Sequence, residues 1–341
     1  MVHFLYRKKD STLIVTRAPL RIPLGGGGTD LPSFYKEHGG FVISAAIDKY
    51  VYIQLNRLKI EDFIRVKYAN TELVSNPKEI KHPLLREALI HSGITTGVEI
   101  SAMSDVPGRT GMGSSGSFTV ALITTLNTLN GENFSRKDLA EEAFYVEAER
   151  AKQPTGKQDP FIGAFGGLTC FEIDQSGEVT VSPLKLKENI KIELANNLLV
   201  FFTGIKRESF DILSEQVSAT QSKNTTTVDS LHETKNIGYQ VQEALTSGQL
   251  DQFGFLLDQH WQNKKKRSSS MTNTDIDHWY EVGCSAGALG GKILGAGGGG
   301  FLMFYCPLQY QKELRRKMAK EGLREMRFAF DYEGATVLLD I

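Results

Sequence analysis

The sequence of 341 residues has little of several features that mark specialised classes of protein. Its three cysteines, Cys170, Cys284 and Cys306, are widely spaced and form no CxxC pair, which argues against a disulfide framework or a zinc knuckle. No window approaches the ~18 apolar residues of a transmembrane helix. Residues 1–12 lack the apolar core of a secretory signal. We therefore expect buried structural thiols in a reducing, cytoplasmic setting.

The chain also lacks an excess of charge, since 39 basic and 40 acidic side chains leave a formal net charge of -1. A dedicated nucleic-acid-binding protein usually has a basic surplus, so we expect neither a nucleic-acid partner nor a membrane partner. At ~150 residues per domain the length predicts about two domains. Glycine is in excess: fifteen of the 33 glycines fall in three short runs, at 25–28, 108–116 and 290–300.

Strand and helix patterns mix along the chain without a strict βαβ order, which favours an α+β fold of two domains. We expect domains at 1–190 and 191–341, because an apolar strand near 198 begins a new pattern. The pattern predicts strands at 13–16, 46–55, 63–68, 97–102, 167–173, 178–184, 198–204, 301–305 and 335–340. It predicts helices at 84–92, 118–129, 135–152, 208–266 with a polar break at 222–227, 275–290 and 309–321.

The second glycine run is the most informative segment. It reads PGRTGMGSSGS at 107–117 and passes directly into an apolar helix. Glycines let backbone N–H groups approach a ligand, and a helix N-terminus adds unpaired donors, so this segment predicts an anion site, most naturally for phosphate. The hydroxyls of Ser114 and Ser115 add contacts to phosphate or a metal ion. Neither the P-loop pattern nor the Rossmann pattern fits, and a structural turn before a helix is the alternative.

Three further segments carry polar groups. Arg21 and Asp30 flank the first glycine run, where an arginine can clamp a phosphoryl group and an aspartate can accept hydroxyl hydrogen bonds. The third run, at 295–300, precedes a strand and indicates close backbone packing or a ligand. Glu149 ends a helix and Asp159 follows a Pro/Gly loop; one carboxylate can hold Mg²⁺ and another can orient or deprotonate a hydroxyl nucleophile. Solvated surface charge is the alternative for both acids.

These segments, in this order, resemble the GHMP kinase superfamily, which includes galactokinase, homoserine kinase and mevalonate kinase. The three motifs are residues 18–30, 107–117 and 292–300, so the resemblance covers roughly residues 15–305. It implies an N-terminal domain like the second domain of ribosomal protein S5 and a ferredoxin-like C-terminal domain. It also implies that ATP lies over the second motif with Mg²⁺.

The resemblance implies roles for individual residues. Asp159 matches the catalytic base, and Arg21 matches the basic residue that steadies the nucleophile and the transferring phosphoryl group. Ser115 and Glu149 match the Mg²⁺ ligands, with Ser114 as the substitute for Ser115.

Two larger sets of residues are implied to bind the substrates. The ATP phosphates would lie against the second motif, at Gly108, Gly111, Gly113, Ser114, Ser115, Gly116 and Ser117. The acceptor would lie against Gly28, Thr29, Asp30, Lys206, Arg207, Lys264, Gly297 and Gly298, with Asp30 matching an acid that binds sugar hydroxyls.

The first motif departs from galactokinases, which have Gly-Glu-His-Thr-Asp where residues 26–30 read GGGTD, and this disfavours galactose and mevalonate. The form PLGGGGTD, residues 202–207 and residues 260–273 resemble the sugar-1-kinase branch that acts on D-glycero-D-manno-heptose 7-phosphate. The implied reaction phosphorylates the anomeric hydroxyl and gives the 1,7-bisphosphate, on a route to nucleotide-activated heptose for surface polysaccharide. The basic groups at 206–207 and 264–267 are candidates for the 7-phosphate, although a Lys/Arg run is also typical of a solvated helix end.

Two other functions stay open from the sequence. One is another sugar-1-kinase, such as a fucokinase-like enzyme. The other is a non-catalytic sugar sensor with this fold, which would need neither Glu149 nor Asp159. A homodimer, the anomer used and a mobile lid at 206–228 are also left open.

Overall fold

The computed structural model describes residues 11–206 and 209–341 and shows the expected α+β fold. The strands of the described residues are β1 (Leu13–Gly25), β2 (Gly40–Arg57), β3 (Ile64–Lys67), β4 (Thr71–Val74), β5 (Val98–Ser104), β6 (Leu168–Ile173), β7 (Val179–Pro183), β8 (Leu198–Phe202), β9 (Gly290–Ile293), β10 (Phe301–Tyr305), β11 (Arg324–Met326) and β12 (Thr336–Asp340). The helices are α1 (Pro32–His38), α2 (Pro83–His91), α3 (Ser114–Asn130), α4 (Arg136–Phe144), α5 (Gln158–Phe165), α6 (Glu188–Asn197), α7 (Ser209–Gln221), α8 (Thr225–Ser247), α9 (Leu250–Lys265), α10 (Thr274–Ser285) and α11 (Gln311–Lys320). None of these helices is long and apolar enough to cross a bilayer.

The long strand β2 organises the first sheet, whose order is β12-β1-β2-β5-β3-β4. Strand β1 pairs with β2 along nearly its whole length, while β5 and β6 pair with the two halves of β2 and β7 lies outside β6. The pairing of β1 with β2 is irregular at Pro19/Leu20 and again at Pro23/Gly25. A proline cannot donate to the ladder, and such irregularities re-aim nearby side chains. They flank Arg21, which therefore lies on a distorted stretch of strand.

Helix α3 packs against β1, β2 and α5 and confirms the buried helix predicted after the second glycine run. Small residues let it lie close to the sheet, and its hydroxyl-bearing residues bond within the interface. The Thr16 hydroxyl lies 2.8 Å from the Ala121 carbonyl oxygen and 2.7 Å from the Thr125 hydroxyl. The helix begins after Gly113, whose φ of 74° is in the left-handed region. A glycine at that position lets the loop turn sharply into the helix.

The second sheet has the order β11-β8-β10-β9, all antiparallel, and its core includes the fully buried Trp261. The expected boundary near residue 190 falls between the two sheets. However, β12 pairs with β1, and Phe330 forms a bridge with Ile47, so the end of the chain returns to the first sheet. The strand expected at 335–340 is present, but it pairs with β1 of the first sheet and not with a strand of the second sheet. A local pattern identifies a strand and not its distant partner.

We predict that the crossing of α3 and α5 requires glycine at position 116. A Cβ there would lie 2.6 Å from Asp159 Cβ and 2.9 Å from its carbonyl carbon. Gly116→Ala should therefore lower the free energy of unfolding by about 1–3 kcal/mol, measured by urea denaturation. Gly163→Ala is the matched control on the same interface, because its Cβ would meet Val120 at an ordinary 3.5 Å. Equal losses in the two variants would contradict the argument.

Candidate active site

A cavity of about 840 Å³ lies between the two sheets and is lined by residues of all three glycine runs. Strand β1, the start of α3 and the start of α5 form one wall. Helices α7 and α9 and strand β9 supply the other wall. This volume is typical of a site that holds a drug-sized or larger ligand. The three distant motifs therefore converge on one site, as the sequence predicts.

The centre of the cavity holds an ion pair between Arg21 and Asp159. The Arg21 Nε and Nη2 donate to the two carboxylate oxygens of Asp159 at 2.6 and 2.9 Å, and Nη1 donates to the Gly111 carbonyl oxygen at 2.7 Å. Two parallel N–H···O bonds fix the plane of the carboxylate as well as its position. The two residues that the resemblance pairs are thus joined directly, and both line the cavity.

The second motif forms the predicted glycine-rich rim. Five of its seven predicted phosphate-binding residues line the cavity, namely Gly108, Gly111, Gly113, Ser114 and Ser115. The other two serve the fold instead. Gly116 packs against Asp159, and the buried Ser117 hydroxyl donates to the Pro19 carbonyl oxygen at 2.7 Å. Neither residue lines the cavity, and their direct contact with phosphate stays a prediction.

The third glycine run packs against the second. A Cβ on Gly111 would lie 2.3 Å from the Leu294 carbonyl oxygen, and one on Gly295 would lie 2.5 Å from Gly111 Cα. The predicted acceptor residues Gly297 and Gly298 do not line the cavity. They lie against Met271, whose carbonyl oxygen accepts the Gly298 N–H at 2.8 Å.

The first motif places Asp30 and Gly28 on the cavity wall. The Asp30 carboxylate accepts the N–H groups of Gly28 and Gln158, both at 3.0 Å. Burial raises the pKa of Asp30, and the nearby Asp159 adds to that shift. The Thr29 hydroxyl is fully buried and bonds to the backbone of Phe41, including its N–H at 3.1 Å. Thr29 thus holds the loop in shape, which corrects its prediction as an acceptor-binding residue.

A buried carboxylate lies beside the second motif, and it belongs to Glu147. The Ser115 hydroxyl donates to Glu147 Oε1, and Glu147 Oε2 has no hydrogen-bond partner. Burial raises the pKa of Glu147 to about 7, and the charge of Asp159 acts in the same direction. The predicted metal ligand Glu149 is 58% exposed instead, with its carboxylate 3.7 Å from Lys152 Nζ. The structure therefore does not bring Glu149 to Ser115.

The choice between the two glutamates depends on helix phase. They are two residues apart, so they face in nearly opposite directions, and the segment Tyr145–Arg150 is a π-helical turn, a feature frequent at functional sites. One signal in the sequence favoured Glu147. It follows Leu139 and Ala143 at helical spacing, so it lies on the buried face.

The far end of the cavity is rich in cations. Lys264 and the exposed Lys206 line it as predicted, whereas Arg207 lies outside the described residues. Arg267, which the sequence also offers as a candidate for the 7-phosphate, lines it too, and so does Lys292, to which the sequence assigns no separate role. Lys292 follows two glycines in β9, and its local pattern gave no sign that its side chain would reach the cavity.

The residues beside the second motif fit a magnesium ion. Within the described ranges no group of three His, Cys, Asp or Glu side chains could hold a metal alone. Mg²⁺ is usually held by one or two carboxylates together with substrate phosphates, so a full protein cage is not required. The unpartnered oxygen of Glu147 and the Ser115 hydroxyl supply such a donor set.

Comparison with known proteins finds one matching family model and several relatives. Residues 79–167 match the family model described as GHMP kinases N terminal domain. The chain is 27% identical over 337 residues to D-glycero-alpha-D-manno-heptose 7-phosphate kinase of Campylobacter jejuni, a match that covers 94% of this chain and 97% of that protein. It is 25% identical over 336 residues to the bifunctional fucokinase/GDP-fucose pyrophosphorylase of Arabidopsis thaliana, covering 89% of this chain and 31% of that protein.

Solved structures share the fold. A D-glycero-D-manno-heptose 1-phosphate kinase from Bacteroides thetaiotaomicron matches with a TM-score of 0.78 at 23% identity, covering 96% of this chain and 99% of that chain. Lactococcus lactis galactokinase in complex with galactose matches with a TM-score of 0.75 at 19% identity, covering 98% and 97%. The fold and the site thus define an α+β small-molecule phosphotransferase. The chain is similar to GHMP kinases, which supports the resemblance that its three motifs carry.

We predict that Glu147 makes the unliganded protein less stable as the pH rises. The pKa of this group is about 7 in the folded protein against 4.5 for the ordinary side chain, so the folded state binds more protons between these pH values. The free energy of unfolding contributed by this group therefore falls from about pH 4.5 to about pH 7. Glu147→Gln should raise the melting temperature at pH 8, with a gain that shrinks towards pH 5. Glu149→Gln is the control and should follow the wild-type profile; a gain that does not change with pH would contradict the prediction.

Proposed function

We propose that the protein transfers the γ-phosphoryl group of ATP to the anomeric hydroxyl of D-glycero-D-manno-heptose 7-phosphate. The observation that carries the proposal is the Arg21–Asp159 pair, which lies between a glycine-rich anion site and a cationic acceptor end. The match along nearly the full length of the Campylobacter jejuni enzyme supports the choice of sugar. The product would be the 1,7-bisphosphate, a precursor of nucleotide-activated heptose in the cytoplasm.

The nucleotide would lie with its phosphates on the second motif. Backbone N–H groups at the start of α3 and the serine hydroxyls face this part of the cavity. Aromatic rings extend the cavity on that side: His82 lies between Tyr68 and Phe118, with ring centroids 4.8 and 5.1 Å away. Burial lowers the pKa of His82, which favours the neutral ring. We propose that these rings hold the adenine base.

Ser115 and Glu147 would hold Mg²⁺ against the ATP phosphates. When bound, the ion neutralises charge that builds on the phosphate oxygens during transfer. The buried Glu147 carboxylate has one oxygen free for this purpose. Glu147 thus replaces Glu149 in the proposed ligand set.

Asp159 would accept the proton of the acceptor hydroxyl. The acceptor oxygen forms a bond to the γ-phosphorus as the bond from that phosphorus to the β,γ-bridging oxygen breaks, and ADP leaves. The anomeric hydroxyl is more acidic than an ordinary alcohol, so the transfer needs only a well-placed carboxylate. Arg21 keeps that carboxylate in plane and adds positive charge beside the transferring group.

Two groups near the first motif would orient the sugar. Asp30 is held by backbone N–H groups and retains free lone pairs for sugar hydroxyls. The Gln158 Nε2 is buried, lines the cavity with the rest of its residue and has no hydrogen-bond partner. It is therefore a donor for a sugar oxygen, placed directly beside Asp159 in the chain.

We predict that a phosphorylated heptose is the preferred acceptor in a coupled ADP-release assay. The kcat/KM for D-glycero-D-manno-heptose 7-phosphate should exceed that for the unphosphorylated heptose, fucose and galactose by at least about 100-fold. One or two charge-assisted hydrogen bonds to the phosphate supply enough binding free energy for this ratio. Preference for fucose would support the fucokinase-like alternative. Saturable sugar binding without ADP release from any sugar would contradict a kinase and favour a sensor.

We also predict that Asp159→Asn lowers kcat by at least about 100-fold, the usual contribution of a positioned general base. ATP affinity should change little, because the amide keeps one acceptor for Arg21 and leaves the second motif intact. Single-turnover rates and binding of a non-hydrolysable ATP analogue separate these effects. Turnover within twofold of wild type would exclude Asp159 as the base.

A further inference from the structure

Three buried cations at the acceptor end of the cavity contact only neutral groups. Lys264, Arg267 and Lys292 are 7%, 8% and 2% exposed and line the cavity. No carboxylate of the described residues lies within 4.0 Å of their nitrogens. Buried charges are normally paired, because an unpaired one costs several kcal/mol of desolvation. This end of the cavity therefore carries positive charge that the protein itself does not balance.

The contacts of these cations hold them in place without neutralising them. Lys264 Nζ donates to the Gly295 carbonyl oxygen at 2.6 Å, and Lys292 Nζ lies 3.3 Å from both the Leu24 carbonyl oxygen and His260 Nδ1. Burial and the neighbouring cations lower the pKa of Lys264 to about 7 and lower the pKa of Lys292 well below its ordinary value. Burial and the neighbouring cations also lower the pKa of His260 well below its ordinary value, so the neutral ring adds no further positive charge.

Arg267 reaches furthest towards the first motif. Its Nε donates to the Ser230 hydroxyl at 3.0 Å, Nη2 donates to the Thr234 hydroxyl, and Nη1 lies 3.3 Å from the Gly27 carbonyl oxygen. Helix α8 therefore orients the guanidinium from behind, while its front faces the cavity. The nearest part of the first motif is Gly28, where a Cβ would lie 2.9 Å from Nη1.

A second, independent observation points to a ligand at the same place. Gln216 on α7 is 6% exposed and lines the cavity, yet its Nε2 has no hydrogen-bond partner. A Cβ on Gly28 would lie 3.1 Å from this nitrogen. An unpartnered amide donor and an unpaired guanidinium thus converge on the space that Gly28 leaves open. Both side chains present N–H donors to this space, and N–H donors are the groups that bind an oxyanion.

We propose that Arg267, Lys292, Lys264 and Gln216 form the subsite for a phosphate that the acceptor already carries. The proposal rests on the proposed function and deepens it, because it makes the acceptor a sugar monophosphate and names the residues that select it. The subsite is assembled from α7, α9, the segment after α9 and β9, which are far apart in the sequence.

The test compares binding of heptose 7-phosphate and unphosphorylated heptose by calorimetry. A saturating non-hydrolysable ATP analogue keeps the second motif occupied, so that only the acceptor end is free. In the wild type the phosphorylated sugar should bind at least about 100-fold more tightly, and Arg267→Met and Lys264→Met should each reduce that ratio at least about tenfold. Lys266→Met is the matched control, because this neighbouring lysine is exposed and does not line the cavity.

Gln216→Leu is the variant that distinguishes a loss of phosphate binding from a loss of folding. Its Nε2 has no partner within the protein, so removing it should leave the melting temperature unchanged while the ratio falls about fivefold to tenfold. A ratio that is unchanged in Arg267→Met and Gln216→Leu would overturn the proposal. Equal weakening of the ATP analogue would also overturn it, because the cluster would then hold nucleotide phosphates.

The test remains decisive if the heptose assignment fails. Should the wild type turn over a different sugar phosphate, the same ratio is measured with that sugar and its unphosphorylated form, and dependence on Arg267 would support the subsite. Should the preferred acceptor carry no phosphate, the subsite is excluded even though a sugar kinase is not.

Discussion

The bidentate ion pair between Arg21 and Asp159 is the interaction on which the rest of the site depends. It joins β1 of the first sheet to α5, and it forms over the start of α3, where any side chain would push the partners apart. A Cβ on Gly113 would lie 3.1 Å from the Asp159 carboxylate carbon and 3.2 Å from Arg21 Cγ. Arg21 Nη1 also holds the Gly111 carbonyl oxygen, so one guanidinium fixes both the glycine-rich loop and the carboxylate. The glycines of the second motif are thus needed for the approach of Arg21 and Asp159, in addition to the approach of phosphate that we propose.

The same close packing explains why the three motifs work as one unit. The second and third glycine runs touch through backbone atoms at Gly111 and Gly295, and the Thr110 carbonyl oxygen would lie 2.2 Å from a Cβ on Gly300. Each contact joins the N-terminal sheet region to the strand pair β9–β10. Because backbone contacts of this kind tolerate no side chain, a change at one run is transmitted to the next. The glycine excess in the composition therefore reflects close packing of backbone segments around the cavity. Only a minority of these glycines line the cavity itself.

The sequence predicted the elements and the convergence of the motifs because both follow from local signals. Periodicity identified the buried helix α3, and the order of the motifs identified the family. Prediction from the sequence failed where a residue's role depended on the direction of its side chain or on a partner far away along the chain. Glu147 and Glu149 differ only in the face that they present, and Thr29, Gly297 and Gly298 lie in the right motifs but serve the backbone. The partner of β12 is more than 300 residues away along the chain. Lys292 was missed because only the packing of α9 against β9 brings it to the same cavity as Lys264 and Arg267.

Two kinds of buried ionisable group have no partner of opposite charge among the described residues, one beside the second motif and the other at the acceptor end of the cavity. Glu147, with its raised pKa, lies beside the second motif, and the cations Lys264 and Lys292, with lowered pKa values, lie at the acceptor end. If these charges served stability alone, a fold this tightly packed would bring them together as ion pairs. Under the proposed function, Mg²⁺ would balance the carboxylate and the phosphate of the acceptor would balance the basic groups. The same arrangement that weakens the empty protein would, under that proposal, favour a phosphorylated acceptor together with a metal-bound nucleotide.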